Sequence, residues 1–162
     1  DIILLPEIPY DIKKVCDALD RRTAQGKGFS ILAVAEGAIS KEDAELPKKK
    51  RKEKIANRAY PSVSYEIADQ IREYCGKEVR VTVPGHTQRG GSPVPYDRVL
   101  SSRFGAKAAE LIKNEDYGKL VVLKDTEVTA IPLSESAGKL KYVSPEDSIV
   151  KDARLLGISF GD

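Results

Sequence analysis

Short apolar runs alternate along this chain with segments in which apolar residues recur at helical spacing. The apolar runs cover residues 2–6, 29–35 and 78–83, and their length and composition are typical of strands. Because strands separated by helices build parallel crossover units, the alternation predicts an α/β fold, with a mostly parallel sheet flanked by helices. The unbroken run Ile2-Ile3-Leu4-Leu5 predicts a first strand that is buried on both faces.

The helical segments carry start and stop signals. One amphipathic segment breaks at Gly26, and a second, from about Val63, is closed by Gly76 as a left-handed cap. A third helix is predicted from Pro93, with Ser92 as its N-cap. The apolar face of this third helix comprises Leu100, Phe104, Ala108, Leu111 and Ile112.

The last part of the chain predicts a strand pair over residues 120–123 and 128–131. Ser144-Pro145-Glu146-Asp147 resembles a capping box that opens a final helix ending near Gly157.

Composition limits the functional class. The formal net charge of +2 lacks the clustered basic excess that nucleic-acid binders usually show, and no apolar run approaches the roughly 18 residues that span a bilayer. Cys16 and Cys75 lie inside helical patterns, so we interpret them as reduced core thiols of a cytoplasmic protein. The chain has no cysteine–histidine cluster, and we therefore expect no structural metal.

The start of the chain suggests a piece of a longer protein. The 162 residues contain no methionine and open directly into the apolar run. Chain termini normally lie at the surface, so a buried strand is an unusual first element. We therefore expect further residues to precede it.

Residues 41–58 interrupt the alternation with the basic sequence KKKRKEK. Such a run can be a nuclear address or a nucleic-acid patch. The plainer interpretation is an exposed, partly helical insertion whose charge is offset by neighbouring carboxylates. We favour the plainer interpretation, since basic runs alone have a high false-positive rate.

Residues 80–98, RVTVPGHTQRGGSPVPYDR, form a strand signal that runs into a glycine-bearing turn and a helix start. This layout suits an anion, because glycines let the backbone approach closely and a helix N-terminus offers unpaired N–H groups. Arg89 can hold a phosphate bidentately, and His86 can donate a hydrogen bond to a phosphate oxygen. Arg80 lies nearby in the chain. The competing interpretation makes His86 a structural hydrogen-bonding group and Arg80 an exposed strand residue.

This stretch is similar, almost residue for residue, to the GHxQRGGxP signature of the phosphofructokinases, and the continuation YDRVLSSRFG matches as well. The earlier segments ILLPEIP and GKGFSILAVAEGA resemble the family in the same order. The resemblance implies the C-terminal portion of a 6-phosphofructokinase, which phosphorylates the 1-hydroxyl of fructose 6-phosphate in glycolysis.

The resemblance also implies roles for individual residues. His86 and Arg89 would bind the 6-phosphate within their own subunit, and Arg80 would reach the phosphate bound by a neighbouring subunit of a homo-oligomer, dimer or tetramer. Glu36 would accept hydrogen bonds from sugar hydroxyls, although an ordinary loop carboxylate is the competing interpretation. The resemblance further implies effector contacts, because Glu7 and Lys27 match residues that contact the effector in the bacterial allosteric enzymes.

The resemblance assigns parts of the chain to lobes. Residues 1–89 would form the sugar-phosphate-binding lobe, residues 90–136 would pack on a nucleotide-binding lobe outside this chain, and residues 137–162 would return as a helix to the sugar lobe. The glycine-rich loop and the TxDxD motif, which in the family handle ATP or diphosphate with Mg²⁺, are absent. We therefore expect no catalytic residue, no metal ligand and no tightly bound cofactor in this portion.

Two other functions stay open at this point. One is a nucleic-acid-binding module that uses KKKRK and RGG, for which steep salt dependence would be diagnostic. The other is a chain that folds and self-associates without binding a ligand.

Overall fold

The structure, a computed structural model, describes residues 1–162. These form two compact units, one of residues 1–83 with 142–162 and the other of residues 84–141. The strands are β1 (Ile2–Leu4), β2 (Leu32–Val34), β3 (Lys119–Lys124) and β4 (Glu127–Pro132). The α-helices are α1 (Ile12–Ala24), α2 (Lys41–Glu45), α3 (Lys48–Ala56), α4 (Val63–Cys75), α5 (Pro95–Lys113), α6 (Leu133–Ser136) and α7 (Ser148–Leu155).

β1 is the centre of the first unit. It pairs in parallel with β2, and Ile2 also forms a parallel bridge with Ser159. Ile2 and Leu4 are fully buried in a core shared with α1 and α4, while Ile3 and Leu5 pack with the cluster around Val150 and Phe160. Successive side chains of a strand point to opposite faces, so the predicted burial of β1 on both faces is confirmed, and with it the α/β class.

The core of this unit lies between β1, α1 and α4. Its buried members are Ile2, Leu4, Tyr10, Val15, Ala18, Leu19, Ala38, Val63, Ile67 and Ile71. α1 is capped by Asp11, whose carboxylate accepts from the N–H of Lys13 at 2.8 Å. α4 ends at Gly76, which has φ +65° and donates its N–H to the carbonyl of Arg72. The predicted left-handed cap is confirmed, since glycine alone adopts this conformation without strain.

Two strand predictions need correction. The run over residues 29–35 contains only the three residues of β2, and Phe29 and Ile31 are exposed. The run over residues 78–83 is not a strand, since no neighbouring strand pairs with it. Val79 packs against the core, but its carbonyl accepts from the Arg72 guanidinium at 2.6 Å instead of from a backbone N–H. Alternating apolar residues indicate which face of a segment is buried. A β-strand additionally requires a neighbouring backbone with which it forms ladder hydrogen bonds.

The basic insertion folds as the short helices α2 and α3, which have no buried residue. Lys54 pairs with Asp43 at 2.6 Å, which joins the two helices. The prediction of an exposed, partly helical insertion is confirmed.

The second unit consists of the 3₁₀ turn Gly85–Arg89, helices α5 and α6, and the antiparallel hairpin β3–β4. The predicted strand pair is confirmed. α5, however, begins at Pro95 and not at Pro93. Val94 precedes Pro95 and has φ −70° and ψ 160°, because a residue before proline is excluded from helical geometry. No residue of this unit is buried.

The final helix also starts later than predicted. Its N-cap is Asp147, whose carboxylate accepts from the N–H of Ile149 at 3.1 Å, while Ser144 closes a preceding turn through its carbonyl. Gly157 follows the helix with φ +80°, as the predicted end requires. None of the helices combines the length and the apolar character that crossing a membrane requires.

Candidate functional site

Glu36, the predicted sugar contact, lies just beyond the C-terminal end of β2. The N–H of Ala35 still bonds to the carbonyl of Leu4 at 3.0 Å, so the parallel pairing fixes the backbone directly before this residue. The Glu36 carboxylate is 68 % exposed. A carboxylate beyond the carboxyl end of a parallel strand is well placed to accept hydrogen bonds from a ligand.

The two oxygens of Glu36 have different partners. Oε2 accepts a hydrogen bond of 2.8 Å from the hydroxyl of Ser62. Oε1 lies 4.0 Å from the guanidinium of Arg58, which also donates to Glu66 at 3.0 Å. The contact with Arg58 is long, so the hydrogen bond from Ser62 is what holds the carboxylate in its orientation.

Sequence reasoning missed Ser62 and Arg58. Ser62 is buried and is the N-cap of α4, where its oxygen accepts from the N–H of Ser64 at 3.3 Å. A serine directly before a periodic apolar segment is a recognisable N-cap signal. Nothing in the sequence indicates that the same hydroxyl donates to a residue that precedes it by 26 positions.

Arg80 lies in the segment after α4, which is neither helix nor strand. Its side chain is 89 % exposed, and Nε and Nη2 both donate to Oε1 of Glu78, at 3.1 and 3.0 Å. An exposed pair of this kind is held weakly. Arg80 is thus accessible to an anion that competes with Glu78.

His86 and Arg89 share the 3₁₀ turn Gly85–Arg89. Gly85 opens the turn with φ +51°, and Gly91, two residues after the turn, has φ +85°; both conformations favour glycine. Both side chains are exposed and form no hydrogen bond or ion pair within the structure. The turn therefore presents a guanidinium and an imidazole whose donors are free for an external anion.

The four predicted substrate ligands are divided between the two units. Glu36 and Arg80 belong to the first, and His86 and Arg89 belong to the second. Within the first unit, Glu36 and Arg80 have separate partners and do not contact each other. Their common role in one sugar-phosphate site stays a prediction, as does the assignment of residues 1–89, 90–136 and 137–162 to functional lobes.

The two predicted effector residues, Glu7 and Lys27, have no hydrogen-bond partner in common. Glu7 accepts at Oε1 from the N–H of Val143 at 3.1 Å, while its Oε2 is buried without a hydrogen-bond partner. Glu7 lines a cavity of about 430 Å³, with Ile8, Pro9, Lys41, Ala44, Glu45, Pro145, Arg154 and Asp162. Lys27 is exposed and does not line this cavity.

The chain contains no group of three or more His, Cys, Asp or Glu side chains that could hold a metal ion. Hard cations such as Mg²⁺ are bound by oxygen ligands that act together. The side chains of this chain therefore form no metal-binding cage of their own.

Comparison with known proteins decides the family. The phosphofructokinase family model matches residues 1–112. The chain belongs to the phosphofructokinase family. It is 51 % identical over all of its 162 residues to the ATP-dependent 6-phosphofructokinase of Spirochaeta thermophila, and 43 % identical to that of Chloroflexus aggregans. It spans 44 % of the length of each of these relatives.

A solved structure of phosphofructokinase from Saccharomyces cerevisiae has the same fold over much of the chain. The TM-score is 0.63 at 25 % identity, and the match covers 84 % of this chain and 17 % of the yeast chain. Family membership confirms the resemblance that rested on the GHTQRGGSP signature. The nucleic-acid alternative is not favoured by any of these phosphofructokinase matches.

Proposed function

We propose that the protein carrying this chain transfers a phosphoryl group from ATP to the 1-hydroxyl of fructose 6-phosphate, and that this chain supplies part of the sugar-phosphate site. The main support for this proposal is that the whole chain matches relatives named ATP-dependent 6-phosphofructokinase. The sequence left ATP and diphosphate open as donors, and the names of these relatives favour ATP. The cytoplasmic location expected from the sequence belongs to the same proposal.

In this proposal His86 and Arg89 bind the 6-phosphate. Both side chains are exposed and have no protein partners. They can therefore bind the phosphate without breaking a hydrogen bond or ion pair within the protein. Charge-assisted bonds from a guanidinium fork to phosphate are among the strong hydrogen bonds of proteins. Because the 6-phosphate is remote from the 1-hydroxyl, these contacts supply binding energy away from the reacting group.

Glu36 and Arg80 complete the proposed ligand set. The Glu36 carboxylate, fixed by Ser62, would accept hydrogen bonds from sugar hydroxyls. Arg80 would leave Glu78 for the phosphate of a neighbouring subunit, which makes a homo-oligomer part of the proposal. The residues that carry out phosphoryl transfer are expected outside this chain.

The test is an assay of the full-length protein with fructose 6-phosphate and either ATP or diphosphate. We expect fructose 1,6-bisphosphate to form with ATP. Product formation only with diphosphate would overturn the choice of donor, and phosphorylation of other sugars but not of fructose 6-phosphate would overturn the substrate. Mixed oligomers test Arg80 separately, because a subunit with wild-type Arg80 should restore activity at the site of an Arg80→Ala neighbour.

A further inference from the structure

Cys16 and Cys75 lie side by side in the fold although 59 positions separate them in the chain. Cys16 is the fifth residue of α1, and Cys75 is the last residue of α4. Both are free thiols, and their Sγ atoms are 2.8 Å apart, with Cys16 as the donor. A disulfide has an S–S bond of about 2.05 Å, so bond formation requires the sulfurs to approach by less than about 1 Å.

The two thiols differ in access to solvent. Cys16 is buried, with 2 % of its surface exposed, whereas Cys75 is partly exposed. Burial, followed by the hydrogen bond with Cys75, raises the pKa of the Cys16 thiol. Cys75 is therefore the sulfur that a reagent from solvent meets first, because exchange needs an accessible thiolate.

Contacts around the pair hold the two helices together independently of the sulfurs. Val15 and Leu19 of α1 share the buried core with Ile67 and Ile71 of α4. At the solvent side, Lys77 pairs with Asp20 at 2.8 Å. The helices that carry the thiols are therefore already packed in the arrangement that a disulfide would fix.

We propose that Cys16 and Cys75 form a reversible oxidation site, which low-molecular-weight disulfides such as oxidised glutathione convert to an intramolecular disulfide. Intracellular disulfides of this kind are transient or redox-sensing, and this one would anchor the end of α4 five residues before Arg80.

The chemistry balances in two exchange steps. The Cys75 thiolate attacks one sulfur of oxidised glutathione, whose S–S bond breaks, and the first glutathione leaves and takes up a proton. The Cys16 thiol then gives its proton to water, its thiolate attacks Sγ of Cys75, and the second glutathione leaves and takes up a proton. Two protein thiols are oxidised and one glutathione disulfide is reduced to two thiols.

The experiment uses the full-length protein, reduced, freed of reductant and incubated with oxidised glutathione. Remaining thiols are then alkylated and the protein is digested with trypsin without reduction. Cys16 falls in the peptide of residues 15–21 and Cys75 in that of residues 73–77. We expect these two peptides to be joined, with a mass lower by two hydrogen atoms than their sum, and to separate after dithiothreitol.

A sample treated in concentrated urea is the matched control. Because the thiols meet only in the folded chain, we expect roughly tenfold or more linked peptide from the native protein than from the urea sample. Equal yields, or recovery of both peptides alkylated from the native protein, would overturn the proposal.

Single variants test the order of the steps. Cys16→Ala should leave a stable glutathione adduct on Cys75, whereas Cys75→Ser should leave Cys16 unmodified. An adduct on Cys16 in the second variant would contradict the assignment of Cys75 as the attacking thiol. If either variant fails to fold, the linked peptide of the wild-type protein still decides the proposal.

Discussion

The hydroxyl of Ser62 donates a hydrogen bond of 2.8 Å to Oε2 of Glu36, which joins the N-terminus of α4 to the loop after β2. The donor is buried and the acceptor is largely exposed. A buried hydroxyl therefore holds one oxygen of a carboxylate and leaves the remaining lone pairs toward solvent. This arrangement suits a carboxylate that binds a sugar, because its orientation is set before the ligand arrives.

Ser62→Ala is expected to raise the KM for fructose 6-phosphate about three- to tenfold, the equivalent of roughly 0.5–1.5 kcal/mol for one hydrogen bond. The variant also loses an N-cap, which should lower the free energy of unfolding by about 1 kcal/mol. Steady-state kinetics on the full-length protein at saturating ATP measures the first effect, and urea denaturation measures the second.

Ser40→Ala is the matched control for this variant. Ser40 is also a buried N-cap, since its hydroxyl accepts from the N–H of Asp43 at 3.1 Å, but it does not contact Glu36. It should lower stability by a similar amount without raising the KM. If both serine variants raise the KM equally, the contact with Glu36 is not what positions the substrate.

His86→Ala and Arg89→Ala are each expected to weaken fructose 6-phosphate binding ten- to hundredfold, because one charge-assisted contact to phosphate contributes about 1.5–3 kcal/mol. The kcat should change little, since the 6-phosphate is remote from the reacting hydroxyl. Arg21→Ala is the control, as Arg21 is an exposed arginine of α1 outside the predicted site. An unchanged KM in both variants would show that the phosphate binds elsewhere.

Gly161→Ala is expected to destabilise the first unit by about 2–4 kcal/mol, the combined cost of overpacking and of a left-handed alanine. Gly161 has φ +74°, and an added Cβ would lie 2.9 Å from Val15 Cγ2 and 3.0 Å from Tyr10 Cβ. Gly26→Ala separates the two causes, because Gly26 has φ +78° and no atom near the new Cβ. Thermal unfolding should show a clearly lower midpoint for Gly161→Ala than for Gly26→Ala, and equal midpoints would mean that close packing at Gly161 is unimportant.

The pair of Arg154 and Asp162 predicts a pH dependence. The Arg154 guanidinium donates to both Asp162 oxygens, at 2.9 and 2.6 Å, and this contact lowers the pKa of the Asp162 carboxyl below its ordinary value. The folded state then binds fewer protons than the unfolded state at acidic pH. The stabilisation is fully present above the unfolded pKa of about 3.9 and is lost as the pH falls through the lower folded pKa.

Asp162→Asn should therefore be less stable than the wild type near neutral pH, by about 1 kcal/mol or less because the pair is partly exposed. The difference should shrink below pH of about 4. Urea midpoints of both proteins across this range provide the measurement. A constant difference at every pH would show that the carboxylate charge contributes nothing.

Self-association is expected because the second unit has no buried residue. Val99 and Ile112 of α5 are 60 % and 63 % exposed, and Leu120 and Leu123 of β3 are 38 % and 37 % exposed. Soluble monomers rarely leave such apolar surface open. Light scattering of this chain at micromolar concentration should give a mass above 17.8 kDa, and Ile112→Asp should reduce it. A concentration-independent mass equal to that of one chain would contradict the expectation.

The sequence alone determined the elements whose signals are local. The run of four apolar residues placed β1 with both faces covered, and Gly76 marked the end of α4 because few other residues adopt its backbone conformation. The GHTQRGGSP signature identified the family, which the family model and the relatives confirm. These features depend on the spacing and the identity of neighbouring residues.

Only the tertiary structure decided which distant groups meet. The run over residues 78–83 has the alternation of a strand, but it lacks a partner backbone. The contacts of Ser62 with Glu36 and of Cys16 with Cys75 cross 26 and 59 positions of the chain. A local pattern determines which face of a helix or strand a residue lies on. Its partner on that face depends on how the helices and strands pack, because side chains from remote segments share one core.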